Sequence, residues 1–302
     1  MKLRIALVTD ESGWHGARLR KAFARHGCEL RTVSLRDCAF DLHGQGSGLR
    51  LPGFGDELPD GVFVRGVPGG TLEQVVLYLD VLHALQLLGV PVYNDGRAIE
   101  KSVDKGMTSF LLQRAGIAAA PTWVTGDSEQ AAALWARERA AGHRLVVKPL
   151  FGSQGHGLRR LSRDHRLPPL PEYQGVYYLQ RFVEGAGFDW RVFVVNNRAV
   201  ACMQRRGRGW INNVARGGTC LAVVNDPELE RLAEAATAAL DMDYAGVDLM
   251  RGRDGALQVI EINSIPAWKG LQSVCSVDIA QCLADDFYAR YLPCRSMRAV
   301  GA

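Results

Sequence analysis

Residues 247–250 (Val-Asp-Leu-Met) and 257–263 (Leu-Gln-Val-Ile-Glu-Ile-Asn) are two short apolar runs around the turn-prone segment 251–255, and no other stretch constrains the fold as strongly. A strand points alternate side chains to one face, so Glu261 and Asn263 project together, and a hairpin brings Asp248 in from the facing strand. Three oxygen donors then converge. A set without His or Cys suits hard Mg²⁺, which keeps several waters and takes further ligands from nucleotide phosphates. The same spacing equally serves an ordinary hairpin whose polar residues face water.

The 302 residues are enough for two or three domains or subdomains, and 47% hydrophobic with 23% charged residues is the balance of a folded chain. A net charge of +4 with scattered basic residues neither demands a nucleic-acid partner nor excludes anionic substrates. Seven cysteines form no CxxC pair and no zinc spacing, so reduced structural thiols are expected. The opening apolar run is broken by Arg4, too brief for a signal segment, and no stretch approaches a membrane span. A cytoplasmic chain with no membrane partner is expected.

Residues 3–8, 14–26 and 30–33 read as a β-α-β unit, which implies a parallel sheet. Residues 41–59 read as a surface connection and 61–65 as a further strand. Thr71 and Gln74 form a capping-box signature opening a helix that Gly89 stops, followed by a strand over 90–93. The first domain then ends near residue 97. Residues 98–115 read as one helix carrying Lys101 and Lys105 on one face. A strand at 122–124, a helix at 128–141 and a strand at 145–149 containing Lys148 follow. The run 151–157, Phe-Gly-Ser-Gln-Gly-His-Gly, carries three glycines that let backbone N–H groups approach an anion; a flexible turn has the same composition. No Walker Lys-Ser/Thr follows it. Residues 168–171 suggest a linker; strands are expected at 176–182, 191–195 and 199–204, and helices at 227–240 and 277–291. The single Arg205-Arg206-Gly207-Arg208-Gly209 sits in a strand-rich region, so it is not read as an RNA-binding tract.

Lys105, Lys148, the glycines of 152–157, Gln180-Arg181-Phe182-Val183, Asp189-Trp190-Arg191, Arg205-Arg206, Asn213-Val214-Ala215-Arg216-Gly217-Gly218, Gly246-Val247-Asp248 and Glu261-Ile262-Asn263 together resemble an ATP-grasp ligase, and within that group the RimK-type α-L-glutamate ligases. The resemblance runs from about residue 61 to 292. It implies an α/β fold with a pre-ATP-grasp βαβ domain over 1–97, a central lid subdomain over 98–172 and a C-terminal subdomain with an antiparallel sheet over 173–302. It also implies ATP, with two Mg²⁺ (or Mn²⁺) ions on Asp248, Glu261 and Asn263, and an acylphosphate route in which an amine displaces phosphate from an activated carboxylate. Lys105, Lys148, Gly152, Ser153, Gln154, Gly155, Asp189 and Asn213 then face the nucleotide, and Gln180, Arg181, Phe182 and Val183 form the adenine hinge. Arg205 or Arg206, with Arg216, would stabilise charge building on the intermediate.

Two departures from the family pattern stand out. The hinge carries Arg181 where Glu is usual, which puts the side-chain contribution in question. Past the metal-binding Asn, Ile265-Pro266-Ala267-Trp268-Lys269 replaces the common Ser-Pro-Gly-Leu. Trp268 and Lys269, together with Arg65, are therefore candidate substrate contacts, with the ring and cation suited to an aromatic or acidic acceptor. Expected partners are small molecules, L-glutamate and a carboxylate acceptor of one-carbon coenzyme type such as tetrahydromethanopterin or methylofuran, with no nucleic acid and a homo-oligomer such as a dimer or tetramer. A peptide C-terminus as acceptor and a catalytically silent nucleotide-binding chain are the other readings.

Overall fold

The computed structural model describes residues 2–43, 46–152, 155–207, 209, 210, 212 and 217–292. They divide into two units, one from residues 2–99, 242–245 and 264–292, the other from 100–241 and 246–263. Parallel and antiparallel sheets occur together, as the sequence leads one to expect.

The first unit holds a four-stranded parallel sheet in the order Glu29–Val33, Arg4–Val8, Gly61–Val64, Val92–Tyr93. Val62, Phe63 and Val64 are fully buried, the pattern of a strand covered on both faces. The helix Leu72–Leu87 carries the reciprocal Thr71–Gln74 capping box. The region 41–59 is not all connection: Ala39–Phe40 pairs with Leu49–Arg50 as a short ribbon, and Leu49, Leu51 and Phe54 enter the core. Phe23, Phe63, Tyr93, Tyr244 and Phe287 stack and cross at edges in a second apolar cluster. Asn94, fully buried, joins the separate segments of this unit. Its Nδ2 donates to the carbonyls of Tyr244 and Ser264 at 2.7 Å each, and its Oδ1 accepts from the N–H groups of Asp243 at 2.6 Å and Tyr244 at 3.1 Å.

The second unit is built on two antiparallel sheets. One runs Thr122–Thr125, Tyr177–Arg181, Leu145–Lys148, Arg159–Leu161; the other has the order Thr219–Val223, Arg198–Arg206, Phe188–Val195, Tyr244–Arg251, Leu257–Asn263, with Tyr244 and Ala245 counted in the first unit. The helix expected over 98–115 is two helices, Gly96–Val103 and Lys105–Arg114. Asp104 leaves helical geometry and its carboxylate accepts from the N–H groups of Gly106 and Met107, so an N-cap interrupts the periodic pattern. Arg159–Leu161 is a strand too short and too polar to be read from periodicity, and Thr219–Val223 is a short apolar run without alternation, which sequence reasoning missed. Among the described residues no helix is long and apolar enough to cross a membrane.

Replacing Asn94 by Ala removes four buried hydrogen bonds at once and is expected to destabilise the chain by about 3 kcal/mol. Urea unfolding of the variant against wild type measures this; an unchanged midpoint would show that Asn94 is not the stitch described.

Candidate functional site

Period-two alternation decides where Lys148 points. Leu145 and Val147, with Tyr177 and Leu179 of the neighbouring strand, pack on Ala131 and Trp135 of the helix Ser128–Ala140. Their alternates Val146, Lys148, Tyr178 and Gln180 therefore face the other way. Tyr178 lies opposite Lys148 and Gln180 opposite Val146 in the ladder. A pocket on that side is lined by Lys105, Thr108, Ser109, Lys148, Tyr178, Gln180 and Glu261 among others.

Two ammonium groups occupy it. Lys148 Nζ donates to Gln180 Oε1 at 2.7 Å and lies 5.6 Å from the Tyr178 ring centroid. Gln180 Nε2 in turn donates to the hydroxyls of Tyr178 and Thr122, both at 3.1 Å, and Ser109 meets the Tyr178 hydroxyl at 2.9 Å. Lys105 Nζ donates to the carbonyls of Gly152 at 2.8 Å and Leu150 at 3.2 Å, tying the first helix turn to the glycine-rich segment. Neither lysine forms an ion pair among the described residues. Burial pushes the Lys148 ammonium down to about 8, against Glu261, which favours its charge, and with Lys105, which opposes it. Burial lowers Lys105 as well. Lys148 is buried and Lys105 half-buried; a buried cation without a counter-ion is costly, and it marks a place an anion completes.

The hairpin register sets Asp248 directly opposite Glu261 and Gly246 opposite Asn263, so the three oxygen-bearing side chains fall on one face. An irregularity between Asp248 and Leu249 skips Ile260; the alternation on which the grouping of Glu261 and Asn263 relies begins only beyond it. Asp248 is 6% exposed and clasped by arginines. Arg191 donates from Nε to Oδ1 and from Nη2 to Oδ2, both at 2.7 Å, and Arg205 Nη2 reaches Oδ2 at 2.9 Å. Arg205 Nε also donates to Asp189 Oδ1 at 2.6 Å. Burial disfavours the charge on Asp248, but Arg191 and Arg205 outweigh it and hold the carboxyl below its usual range. Asp189, buried with less help and facing Asp248, is pushed up to about 6.

Not every residue named from the sequence joins this group. Ser153, Gln154, Asn213 and Arg216 lie outside the described residues. Gly155 belongs to the same loop, and Gly152 and Gly157 hold positive φ of 147° and 70°; at Gly157 a Cβ would meet Pro149 Cγ at 2.6 Å. Of the two candidate arginines, Arg205 is engaged with carboxylates, whereas Arg206 is exposed with its guanidinium over the Phe188 ring. Arg181 is turned away from the pocket onto Glu138 of the helix Ser128–Ala140, with Nη2–Oε2 at 2.7 Å. The hinge N–H groups of Arg181 and Phe182 are used by the carbonyls of Pro121 and Arg144, while no described residue takes that of Val183. Trp268 corrects an expectation: its ring is fully buried in the first unit, against the His15 edge and under Arg65, so it offers no face for stacking a substrate. Lys269 is exposed. Tyr178 and Ser109 were missed by sequence reasoning, and Arg191, quoted there only within Asp189-Trp190-Arg191, was given no role. Arg191 had a signal, since it stands two residues after Asp189 and shares its face.

The donors present fit Mg²⁺. Asp248, Glu261 and the Asn263 amide supply oxygen only; Asp248 Oδ1 accepts from Arg191 alone and keeps a second lone pair, whereas Oδ2 is taken by both Arg191 and Arg205. Asn263 Nδ2 points to the Gly246 carbonyl at 3.5 Å, which leaves Oδ1 as the free end. Four cations (Lys105, Lys148, Arg191, Arg205) meet three carboxylates (Asp189, Asp248, Glu261), an excess of positive charge suited to a polyphosphate.

Residues 102–287 match the RimK-like ATP-grasp domain. A tetrahydromethanopterin:alpha-L-glutamate ligase of Methanococcus maripaludis is 36% identical over 233 residues, 74% of this chain and 77% of the relative. A probable alpha-L-glutamate ligase of Hahella chejuensis is 30% identical over 293 residues, 94% of each chain. The solved structure of the ATP-grasp ligase PsnB, complexed with a minimal precursor, Mg and ADP, superposes with a TM-score of 0.71 at 21% identity, covering 94% of this chain and 97% of that one. Two antiparallel sheets lining a pocket with two lysines and a carboxylate hairpin are the architecture of an ATP-grasp enzyme of the ligase class. The chain belongs to the RimK-like ATP-grasp family.

Because free Lys148 titrates near 8 and a bound polyphosphate favours its charged form, nucleotide affinity is expected to fall as pH rises from about 7 to 9.5. Isothermal titration with Mg-ADP across that range measures it. Lys148→Met should bind at least about tenfold more weakly at pH 7 and show a flatter profile.

Proposed function

We propose that this enzyme is an ATP- and Mg²⁺-dependent carboxylate–amine ligase that adds L-glutamate to a small carboxylate-bearing coenzyme or precursor, of the tetrahydromethanopterin class. The observation that carries the reading is the pair of ammonium groups, Lys148 buried and Lys105 half-buried, set beside Glu261 without an ion pair among the described residues. The name of the Methanococcus relative supports the choice of glutamate and of a pterin coenzyme.

In this reading an acceptor carboxylate oxygen bonds to the γ-phosphorus of ATP as the bond from that phosphorus to the β–γ bridging oxygen breaks, and ADP leaves. The glutamate amine, as the free base, then bonds to the acyl carbon, the acyl C–O bond breaks, phosphate leaves, and the nitrogen gives up a proton. Mg²⁺ on Asp248, Glu261 and Asn263 would neutralise the phosphates. Lys148, fixed by Gln180, and Lys105, fixed by two carbonyls, hold phosphate oxygens without reorganising. Arg191 and Arg205 hold Asp248 ionised and aimed. Arg206 and Arg216 are the arginines left to meet charge on the acylphosphate and tetrahedral carbon. Residues 98–172 serve as the lid, and the open N–H of Val183 is the hinge group left for the adenine edge.

Incubation with Mg-ATP, L-glutamate and a panel of acceptors (pterin and furan coenzymes, and peptides with free C-termini) tests the reading by mass spectrometry and nucleotide analysis. ADP, phosphate and an acceptor heavier by one glutamyl unit are expected. AMP in place of ADP would overturn the acylphosphate route, and glutamylation of peptides alone would replace the coenzyme by a peptide acceptor. Glu261→Gln should lower turnover by at least about a hundredfold.

A further inference from the structure

Arg65 differs from its neighbours in the first unit. Arg4, Arg18, Arg36, Arg50 and Arg290 each meet a carboxylate there, with Glu57, Asp278, Asp10, Asp41 and Asp243 as partners. Arg65 meets none among the described residues. It follows directly on the strand Gly61–Val64, at the carboxyl end of the parallel sheet. Its Nη1 donates to the Ile265 carbonyl at 3.3 Å, its Nε is buried without a hydrogen-bond partner, and its guanidinium carbon lies 4.9 Å from the Trp268 ring centroid. A buried guanidinium is normally paired or forked onto a carboxylate; this one is held in place by a carbonyl and a ring and left short of an anion.

The groups around it continue that deficit. His15 Nε2 accepts the backbone N–H of Trp268 at 3.2 Å, so in the neutral ring Nδ1 carries the hydrogen and is a donor. Burial, and then Arg65 and Lys269, keep that ring neutral, with the imidazole lowered to about 4. Trp268, edge-on to His15 at 4.5 Å between centroids, is the wall that positions both His15 and Arg65. Lys269 follows it in sequence, exposed and without an ion pair among the described residues. His15 lies in the first turn of the helix Gly13–Arg25, which has no side-chain cap and no acidic residue at its start. The carboxyl ends of parallel strands beside a helix N-terminus are where open α/β sheets take ligands, and the N-terminal partial charge favours an anion.

We propose that His15, Arg65 and Lys269 form a carboxylate-binding site in this unit, which takes the amino-acid substrate, L-glutamate, by a carboxylate that does not react. The planar fork of Arg65 suits a carboxylate held in one orientation, with the His15 donor and the Lys269 charge flanking it. That the occupant is glutamate rests on the ligase reading above; that it is a carboxylate rests on the cluster alone.

The test is calorimetric titration of the full chain, in the presence of Mg-ADP, with L-glutamate, glutarate and inorganic phosphate, alongside kinetics with varied glutamate and varied ATP. Wild type is expected to bind glutamate and glutarate, with phosphate competing poorly. Arg65→Gln should weaken glutamate by at least about thirtyfold, with Arg65→Lys recovering part of the loss. Lys269→Gln, on the surface and harmless to folding, should weaken it by about threefold. The KM for glutamate should rise in both variants while the KM for ATP stays put. Glutamate affinity unchanged in folded Arg65→Gln overturns the site, as does phosphate binding in preference to either carboxylate, or wild type binding none of them. If Arg65→Gln does not fold, unchanged affinity in Lys269→Gln decides against it. Glutamate binding that depends on Arg65 without ADP release from any acceptor would leave the site standing and remove the ligase reading. Turnover with a glutamate KM indifferent to both variants would do the reverse.

Discussion

Four buried charges hold the second unit's chemistry in place. Asp189, Arg205, Asp248 and Arg191 form one continuous ladder across the strands Phe188–Val195, Arg198–Arg206 and Tyr244–Arg251, with contacts of 2.6–2.9 Å. Any one of them alone in that environment would be strongly unfavourable, and removing a single member leaves its partner exposed to the full desolvation cost. The ladder is therefore cooperative in its effect on geometry more than on stability. It fixes the register in which Asp189 lies opposite Arg205, and it holds Asp248 where the hairpin sets it against Glu261. The carboxylate is aimed before any cation or nucleotide arrives, which is the preorganisation that electrostatic catalysis draws on.

How much of this could be read from the amino-acid order depends on the range over which each feature is determined. The hairpin around 251–255 and the strand that carries Lys148 are local, since a short apolar run and a turn suffice to state them, and both stand in the structure as strands, the hairpin with the expected face. The break at Asp104 was equally local but hidden, because an aspartate that caps a helix and one that sits on a helix surface look alike until the apolar pattern on either side is weak. The ladder was not legible at all. Arg191 and Asp248 are 57 residues apart, and no periodicity signals a cross-strand ion pair at that separation. Glu138 is a similar case: a charged residue on an Ala-rich helix, 5% exposed in its side chain, whose partner is 43 residues away.

Both departures from the family pattern acquire a physical account. Arg181, in place of the usual acid, is neutralised by Glu138 on the neighbouring helix and so adds no unpaired cation to the hinge; what remains there for recognition is backbone. Trp268 looked like a platform for an aromatic acceptor because its neighbours in sequence differ from the family. Its ring instead fills space between His15 and Arg65, where an indole gives more contact area than a leucine and also a face for the guanidinium. The difference in sequence thus acts on the charges beside the ring and not through the ring itself.

The division of labour between the two kinds of cation follows from their chemistry. Within the second unit, the arginines Arg181, Arg191 and Arg205 fork onto carboxylates that belong to the chain, whereas Lys105 and Lys148 are held by carbonyl and amide oxygens and left without a counter-ion. A guanidinium fixes a planar acid in one orientation; an ammonium is a compact point charge that tolerates a group whose geometry changes during reaction. A phosphoryl group passing from nucleotide to carboxylate is such a group. Arg65 is the exception, an arginine placed to fork onto a carboxylate that the described chain does not supply. By the same chemical reasoning it suits the proposed ligand, one that must stay still while another part of it reacts, as an amino acid presenting its amine requires of its carboxylate.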